Sequence, residues 1–449
     1  MIRIRATLYI GGSWNNGAND GLFTFNVNNG ASNSNSNIGF RLADRYTARS
    51  WSCNTAPSSA IYIWECRPSH GWENREQTPR HQPTRHGVNT GEKMKRYDGL
   101  WEQIVDFEVL LHAYEEARQK RHFQHEIMGV GSHIEETISD MVLELNCGTW
   151  RPQAYYDFES RREVKRRVIN APSFRDRILH RAIVDAVRPL FERKFIYDSY
   201  ASMAGKGTHA AVKRLQHFLR SAANGGRVYV LQCDISHYYD TVDHEVLKRI
   251  IRQTIKDKRL LEVWDRIIDS YGSDGKGIPI GALTSQLAAN VYLNVLDHFV
   301  KECMRVKRYL RYMDDFIIVA NSKADLWRNL ADIKWLLECH LKLKLNRRTK
   351  VFPASRGVDF CGYRTWATHI LPRKRNIKAA KIRFKQLTHD YKRGVIDLDD
   401  VKPRVASFLG YTKHCQAKQT TISTLRWLKC QRGEYHGNKK NANHDDDRE

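Results

Sequence analysis

The stretch RYLRYMDDFIIVA, residues 308–320, constrains the fold more tightly than any other part of the chain. Apolar and aromatic residues flank Met313-Asp314-Asp315 on both sides, which predicts a β-hairpin with two acids at its tip. Eighty residues before Asp314, RVYVLQCDISHYYDTVDHEVL (227–247) offers another run of strand formers, Val228 to Leu231, which ends at Asp234. An acid closing one buried strand and an acid pair on a neighbouring hairpin can converge at one end of a sheet. In-line displacement at phosphorus calls for such a set. It uses two divalent ions roughly 3.5–4 Å apart, one activating the attacking hydroxyl and one neutralising the leaving oxygens. Mg²⁺ takes carboxylate oxygen, usually from one or two protein side chains plus water and phosphate. The plain alternative is that Asp314-Asp315 is a solvated polar turn. The strand-terminal Asp234 and the apolar flanks favour the metal-binding reading.

Charge points the same way. The 449 residues include 74 Lys+Arg against 50 Asp+Glu, a net +24. Such an excess predicts a polyanionic partner bound through counterion release, and interleaved aromatic residues favour nucleic acid over mere solubility. Residues 1–93 carry 10 Lys+Arg and 6 Asp+Glu, net +4, so the remaining 356 residues hold +20. The nine cysteines include no CxxC, which argues against a disulfide framework and a cysteine zinc site. MIRIRATLYIGG has too short an apolar run for a secretory signal, and no stretch of about 18 apolar residues exists. No membrane partner is expected, and the reducing cytoplasm is the expected location.

Helical spacing predicts helices over 101–127, 173–191, 207–222, 243–257, 259–271, 286–302, 325–340, 376–393, 399–409 and 418–429. Strands are predicted at 227–234, 308–313, 316–321, 349–353 and 358–365. Residues 1–93 show neither period, and nine Asn fall between Gly11 and Asn37.

These motifs resemble those of reverse transcriptases. Tyr312-Met313-Asp314-Asp315 is similar to the YxDD signature, Asp234 with Tyr239 to the first catalytic motif, and GIPIGALTSQLAANVYLN (277–294) to the glycine-serine motif between them. The resemblance implies an α+β right-hand polymerase with an antiparallel-sheet palm, fingers and an α-helical thumb. It divides the chain into 94–225 (N-terminal helices and fingers), 226–366 (palm) and 367–432 (thumb), after an irregular 1–93 and before a disordered tail, 433–449. Implied cofactors are two Mg²⁺ ions, with Mn²⁺ as an alternative, held by the catalytic Asp234, Asp314 and Asp315. Implied partners are an RNA template, a DNA primer and dNTPs.

Further roles follow from the same resemblance. Tyr239 would lie beside the incoming sugar and exclude a 2′-hydroxyl; the alternative is a packed tyrosine. Gly281 and Gln286 would approach the nucleotide and templating base. In REVKRRVINAPSFRDRILHRAIV (162–184), Lys165 and Arg166, with Arg175 a further candidate, would grip the triphosphate; a solvated basic strand face is the alternative. Arg348 stands where relatives often have a lysine proposed as proton donor to pyrophosphate, and arginine donates a proton poorly. AGKGTHAAV (204–212) lacks the Gly-x-x-x-x-Gly-Lys-Ser/Thr spacing of a nucleotide-hydrolase loop, so His209 is expected as a helix residue rather than a ligand. The basic run Arg373 to Lys385 would track the template–primer backbone.

Most relatives carry Gln-Gly-x-x-x-Ser-Pro in the middle motif, whereas this chain has Ile280-Gly281 and Ser285-Gln286. That departure resembles the enzymes of diversity-generating retroelements, which copy a template RNA with errors opposite adenine. Residues 11–43 resemble a translated template repeat ending in the Gly-Phe-Arg of a lectin-like variable region, with a start expected near Met94. A small basic oligomeric accessory protein is the implied partner. Two alternatives stay open: another bacterial reverse transcriptase, group II intron-type or defence-associated, and a non-catalytic RNA-binding or lectin-like display protein.

Overall fold

The computed structural model describes residues 96–119, 125–159 and 168–431. The expectations for 1–93 and 433–449 lie outside the described residues. The chain enters through four helices, α1 (Trp101–Ile104), α2 (Phe107–Arg118), α3 (His125–Ser132) and α4 (Ile134–Cys147). The single helix predicted over 101–127 is broken because Asp106 is extended and its carboxylate accepts the N–H groups of Glu108 and Val109, starting a fresh helix. Helix α4, unforeseen in the sequence, stops at Gly148, whose φ of 70° is a left-handed cap. A two-stranded hairpin, β1 (Tyr156–Glu159) and β2 (Val168–Ala171), leads into α5 (Phe174–Glu192). Ser173 caps α5 at the Asp176 N–H, and Phe174, Ile178, Ile183 and Val187 seat it in the core against the entry helices.

Helix α6 (Thr208–Ala223) precedes β3 (Tyr229–Cys233), which is followed by α7 (Tyr238–Thr241), α8 (His244–Arg252), α9 (Lys258–Asp269) and α10 (Leu283–His298). A five-residue π turn, Phe299–Cys303, extends α10. Next come β4 (Tyr309–Tyr312), β5 (Asp315–Ala320), α11 (Lys323–Cys339) and β6 (Lys350–Pro353). The four strands form an antiparallel sheet in the order β4-β5-β3-β6, with β3 paired on both edges.

Strand alternation sorts the sheet into two cores. Leu231, Cys233, Phe316 and Ile318 join Leu293 and Leu296 of α10 and Leu336 and Leu337 of α11. Val230, Leu310, Ile317 and Val319 join Leu215, Phe218 and Leu219 of α6 in the other. This second face also carries a small sheet, β7 (Val358–Phe360), β8 (Tyr363–Thr365) and β9 (Ile370–Pro372). One strand was predicted over 358–365. Cys361 at φ 45° and Gly362 at φ 84° turn it back on itself instead. Helices α12 (Lys374–Lys392), α13 (Leu398–Thr412) and α14 (Lys418–Leu425) close the chain around Phe384, Leu387 and Phe408. The whole is an α+β right-hand polymerase fold, with an antiparallel palm sheet, fingers and a helical thumb.

Candidate active site

Backbone pairing places the acids. The last β3–β5 pair is Cys233↔Phe316, so the next step of the ladder sets Asp234 opposite Asp315. Tyr312↔Asp315 closes the β4–β5 hairpin, leaving Met313-Asp314 as a two-residue turn. Met313 adopts φ 56°, the left-handed conformation such tight turns demand. Parity puts Asp234 and Asp315 on the same face as Val230, Ile317 and the β7–β8 turn.

The three carboxyls act on one another electrostatically. Burial holds the Asp315 carboxyl well above the usual carboxylate range, Asp314 and Asp234 push it further, and Arg373 opposes them. Burial also raises the neighbouring Cys233 thiol, with Asp234 and Asp315 adding to the rise. Gathering like charges where solvent is scarce is unfavourable unless cations join them. Among the described residues no group of three or more His, Cys, Asp or Glu forms a ready-made metal cage. The donor set is all carboxylate oxygen at a strand end, so the residues fit Mg²⁺ or Mn²⁺.

A buried arginine supports the turn from behind. Arg311 is fully buried, and its guanidinium pairs bidentately with Asp297, Nε to Oδ1 at 2.8 Å and Nη2 to Oδ2 at 2.6 Å. It also donates to the Met313 carbonyl at 3.0 Å, to Asn290 Oδ1 at 3.2 Å and to Ser199 Oγ at 3.2 Å. On the other side Asn346 Nδ2 donates to Asp234 Oδ2 at 3.1 Å. Neither Arg311 nor Asn346 was singled out in the sequence. The arginine was visible inside RYLRYMDD, but a charge within a strand pattern gives no sign of burial.

Residues 160–365 match the family model described as reverse transcriptase (RNA-dependent DNA polymerase). That stretch resembles a reverse transcriptase domain. It is 28% identical to Protein YkfC of Escherichia coli (strain K12) over 240 residues, which covers 44% of this chain and 63% of that protein. It is 23% identical to the group II intron-encoded protein LtrA of Lactococcus lactis subsp. cremoris over 301 residues, covering 51% of this chain and 49% of that protein. The chain thus spans less than two thirds of the length of these curated relatives. A solved structure of apo telomerase from Candida tropicalis, truncated from the C-terminal domain, aligns with TM-score 0.39 and 16% identity over 54% of this chain and 60% of that one.

Tyr239 is half-buried, its ring edge-on to Tyr238 at 5.8 Å, and its carbonyl accepts the Ile278 N–H at 2.8 Å. Tyr238 is the packed member of the pair, buried with its hydroxyl donating to the Ala289 carbonyl at 2.7 Å. Gly281 is exposed at φ 132°, and a Cβ there would lie 2.9 Å from Ile169 Cγ2 and 3.0 Å from the Asn170 carbonyl oxygen. The glycine is therefore required by the close approach of β2, whose Asn170 N–H also donates to Ile280 O at 2.8 Å. Gln286 is half-buried in the first turn of α10. Arg348 is exposed on the loop before β6, where its N–H donates to Asn346 Oδ1 at 3.1 Å. Arg175 is committed to Glu144 at 2.9 Å, a tie between α5 and α4. Lys165 and Arg166 lie outside the described residues. His209 sits in the first turn of α6 with Nε2 at 2.9 Å from the Tyr363 hydroxyl. Among the described residues no helix is long and apolar enough to cross a membrane.

Proposed function

We propose that this chain is an RNA-directed DNA polymerase that adds dNTPs to a primer 3′ end on an RNA template in the cytoplasm. The observation that carries the reading is the gathering of Asp234, Asp314 and Asp315 at one strand end and hairpin tip, within a domain that matches reverse transcriptases. Bound divalent ions would supply charge neutralisation and activation of the primer hydroxyl. Asp234 and Asp314 would hold them, with Asp315 in support. Tyr239 would bound the sugar pocket and reject a 2′-hydroxyl by size. Lys165 and Arg166 would offset charge building on the triphosphate. Arg348 would hold negative charge near the leaving group without acting as its proton donor. Primer extension on an RNA template tests the reading. Asp314→Ala should abolish extension while template binding persists, and extension surviving that substitution would overturn it.

A finer reading concerns the subtype. Ile280 and Gln286 stand where most relatives have Gln and Pro, and residues 11–43 resemble a template repeat rich in Asn, whose codons are adenine-rich. Both support a diversity-generating retroelement enzyme that miscopies adenine and works with a small basic accessory oligomer. The similarity to a group II intron-encoded protein supports the intron-type alternative. Flanking DNA separates them: a near-copy of the codons for 11–43, altered mainly at adenines, is expected in a nearby gene for the first and not for the second.

A further inference from the structure

The main chain around the strand-end acid is clamped by the loop before β6. The Asn346 N–H donates to Asp234 O at 2.7 Å, the Ser236 N–H to Lys344 O at 2.8 Å, and Ile235 bridges Leu345. These contacts fix the Cα of residue 346 beside that of residue 234 before any side chain is considered. On that frame the Asn346 amide makes two bonds of opposite sense. Its Oδ1 accepts the Arg348 N–H at 3.1 Å, and its Nδ2 donates to Asp234 Oδ2 at 3.1 Å. The first bond settles the orientation of the amide, because the end that accepts from a main-chain N–H has to be oxygen. The end facing Asp234 is therefore a donor.

We propose that Asn346 is a positioning residue for Asp234: its amide sets the orientation in which that carboxylate meets a divalent cation. The inference rests on the polymerase reading of the site. A neutral donor suits the task. It favours the ionised carboxylate without bringing a full positive charge that would compete with the cation, as a lysine or arginine would. With Oδ2 tied to Asn346, rotation of the carboxylate about its Cβ–Cγ bond is held at one setting. The Oδ1 contact alone is an ordinary Asx turn, which any short polar acceptor can make. The Nδ2 contact is not needed for that turn, and it joins segments 112 residues apart.

Two substitutions separate the turn from the positioning. Asn346→Ser keeps a neutral turn acceptor but is too short to reach Asp234, and Asn346→Leu removes both bonds at similar volume. The full chain is titrated with Mn²⁺ alone, followed by electron paramagnetic resonance, with the thermal midpoint recorded alongside. Primer extension is then measured against Mg²⁺ concentration. Both variants should bind Mn²⁺ on the order of 10-fold more weakly. Asn346→Ser should melt with the wild type, and its half-saturating Mg²⁺ for extension should rise by a similar factor with KM for dNTP unchanged. Mn²⁺ binding that Asp234→Asn abolishes but Asn346→Ser leaves intact would overturn this inference alone. Binding indifferent to Asp234→Asn would overturn the polymerase reading of the site and this inference with it.

Discussion

The buried pair behind the Met313-Asp314 turn gives the sharpest stability prediction. Arg311 and Asp297 are both 0% exposed, and the guanidinium supplies five hydrogen bonds, two of them to Asp297. Replacing it in Arg311→Met fills the volume but strands the Asp297 carboxylate with the Tyr309 hydroxyl, which donates to it at 2.6 Å. The Met313 carbonyl and Asn290 Oδ1 lose donors at the same stroke. Removing one partner of a buried pair costs about 3–5 kcal/mol, chiefly because the other charge stays desolvated. A midpoint drop on the order of 10 °C should follow in calorimetry. Asp297→Leu added to Arg311→Met removes the stranded charge, and the double variant should recover most of the loss, since apolar replacements of buried pairs are often neutral. A single variant melting within about 1 kcal/mol of the wild type would refute the desolvation argument. So would a double variant no better than the single.

Other expectations are open to direct measurement. Tyr239→Ala should admit ribonucleotides, read as a rise in rNTP over dNTP incorporation of about 10-fold or more; an unchanged ratio would make Tyr239 a packing residue only. Ile280→Gln should raise fidelity at template adenine in sequenced extension products, and an unaltered error spectrum would detach that position from adenine miscopying. Burial, with Arg177 adding, pushes the His180 imidazole down to about 4 in the fold, while the unfolded chain regains about 6.5. Its contribution to stability is thus complete above pH 6.5 and is lost as pH falls toward 4, about 2 kcal/mol between pH 7 and 5. Urea midpoints of His180→Leu should fall less steeply over that interval than those of the wild type, and parallel slopes would contradict the assignment.

What was legible in the sequence followed from period and punctuation. The apolar runs ending at Asp234 and flanking Asp314-Asp315 gave three strands of the main sheet within a residue or two, because strands buried on both faces are nearly continuous in β-formers. Helix α5 was equally plain, with Ser173 as its cap. Breaks were harder. Asp106 ends one helix and starts another without disturbing the apolar period, and Cys361-Gly362 turns a strand through a residue type that rarely takes positive φ. The hairpin β1–β2 was missed because Tyr156, Phe158 and Val168 are exposed and lack a buried alternation. At the site, type and spacing singled out the three acids, and the sheet sets them at one strand end and hairpin tip. Asn346 and Arg311 act through bonds to residues far away in sequence, and no local pattern encodes such partners.

The hairpin that presents Asp314 and Asp315 is also a counting device. Its loop is two residues long; β5 is locked to β3, and β4 to β5, each by pairs whose residue numbers sum to a constant. Because side chains alternate sides at every step, slipping β5 by one residue against β3 would carry Asp315 to the side that packs on α10 and α11 and leave an apolar residue in its place. The letters of this segment can therefore vary, but its strand register cannot, and changes in chain length have to be absorbed in connections outside the ladder.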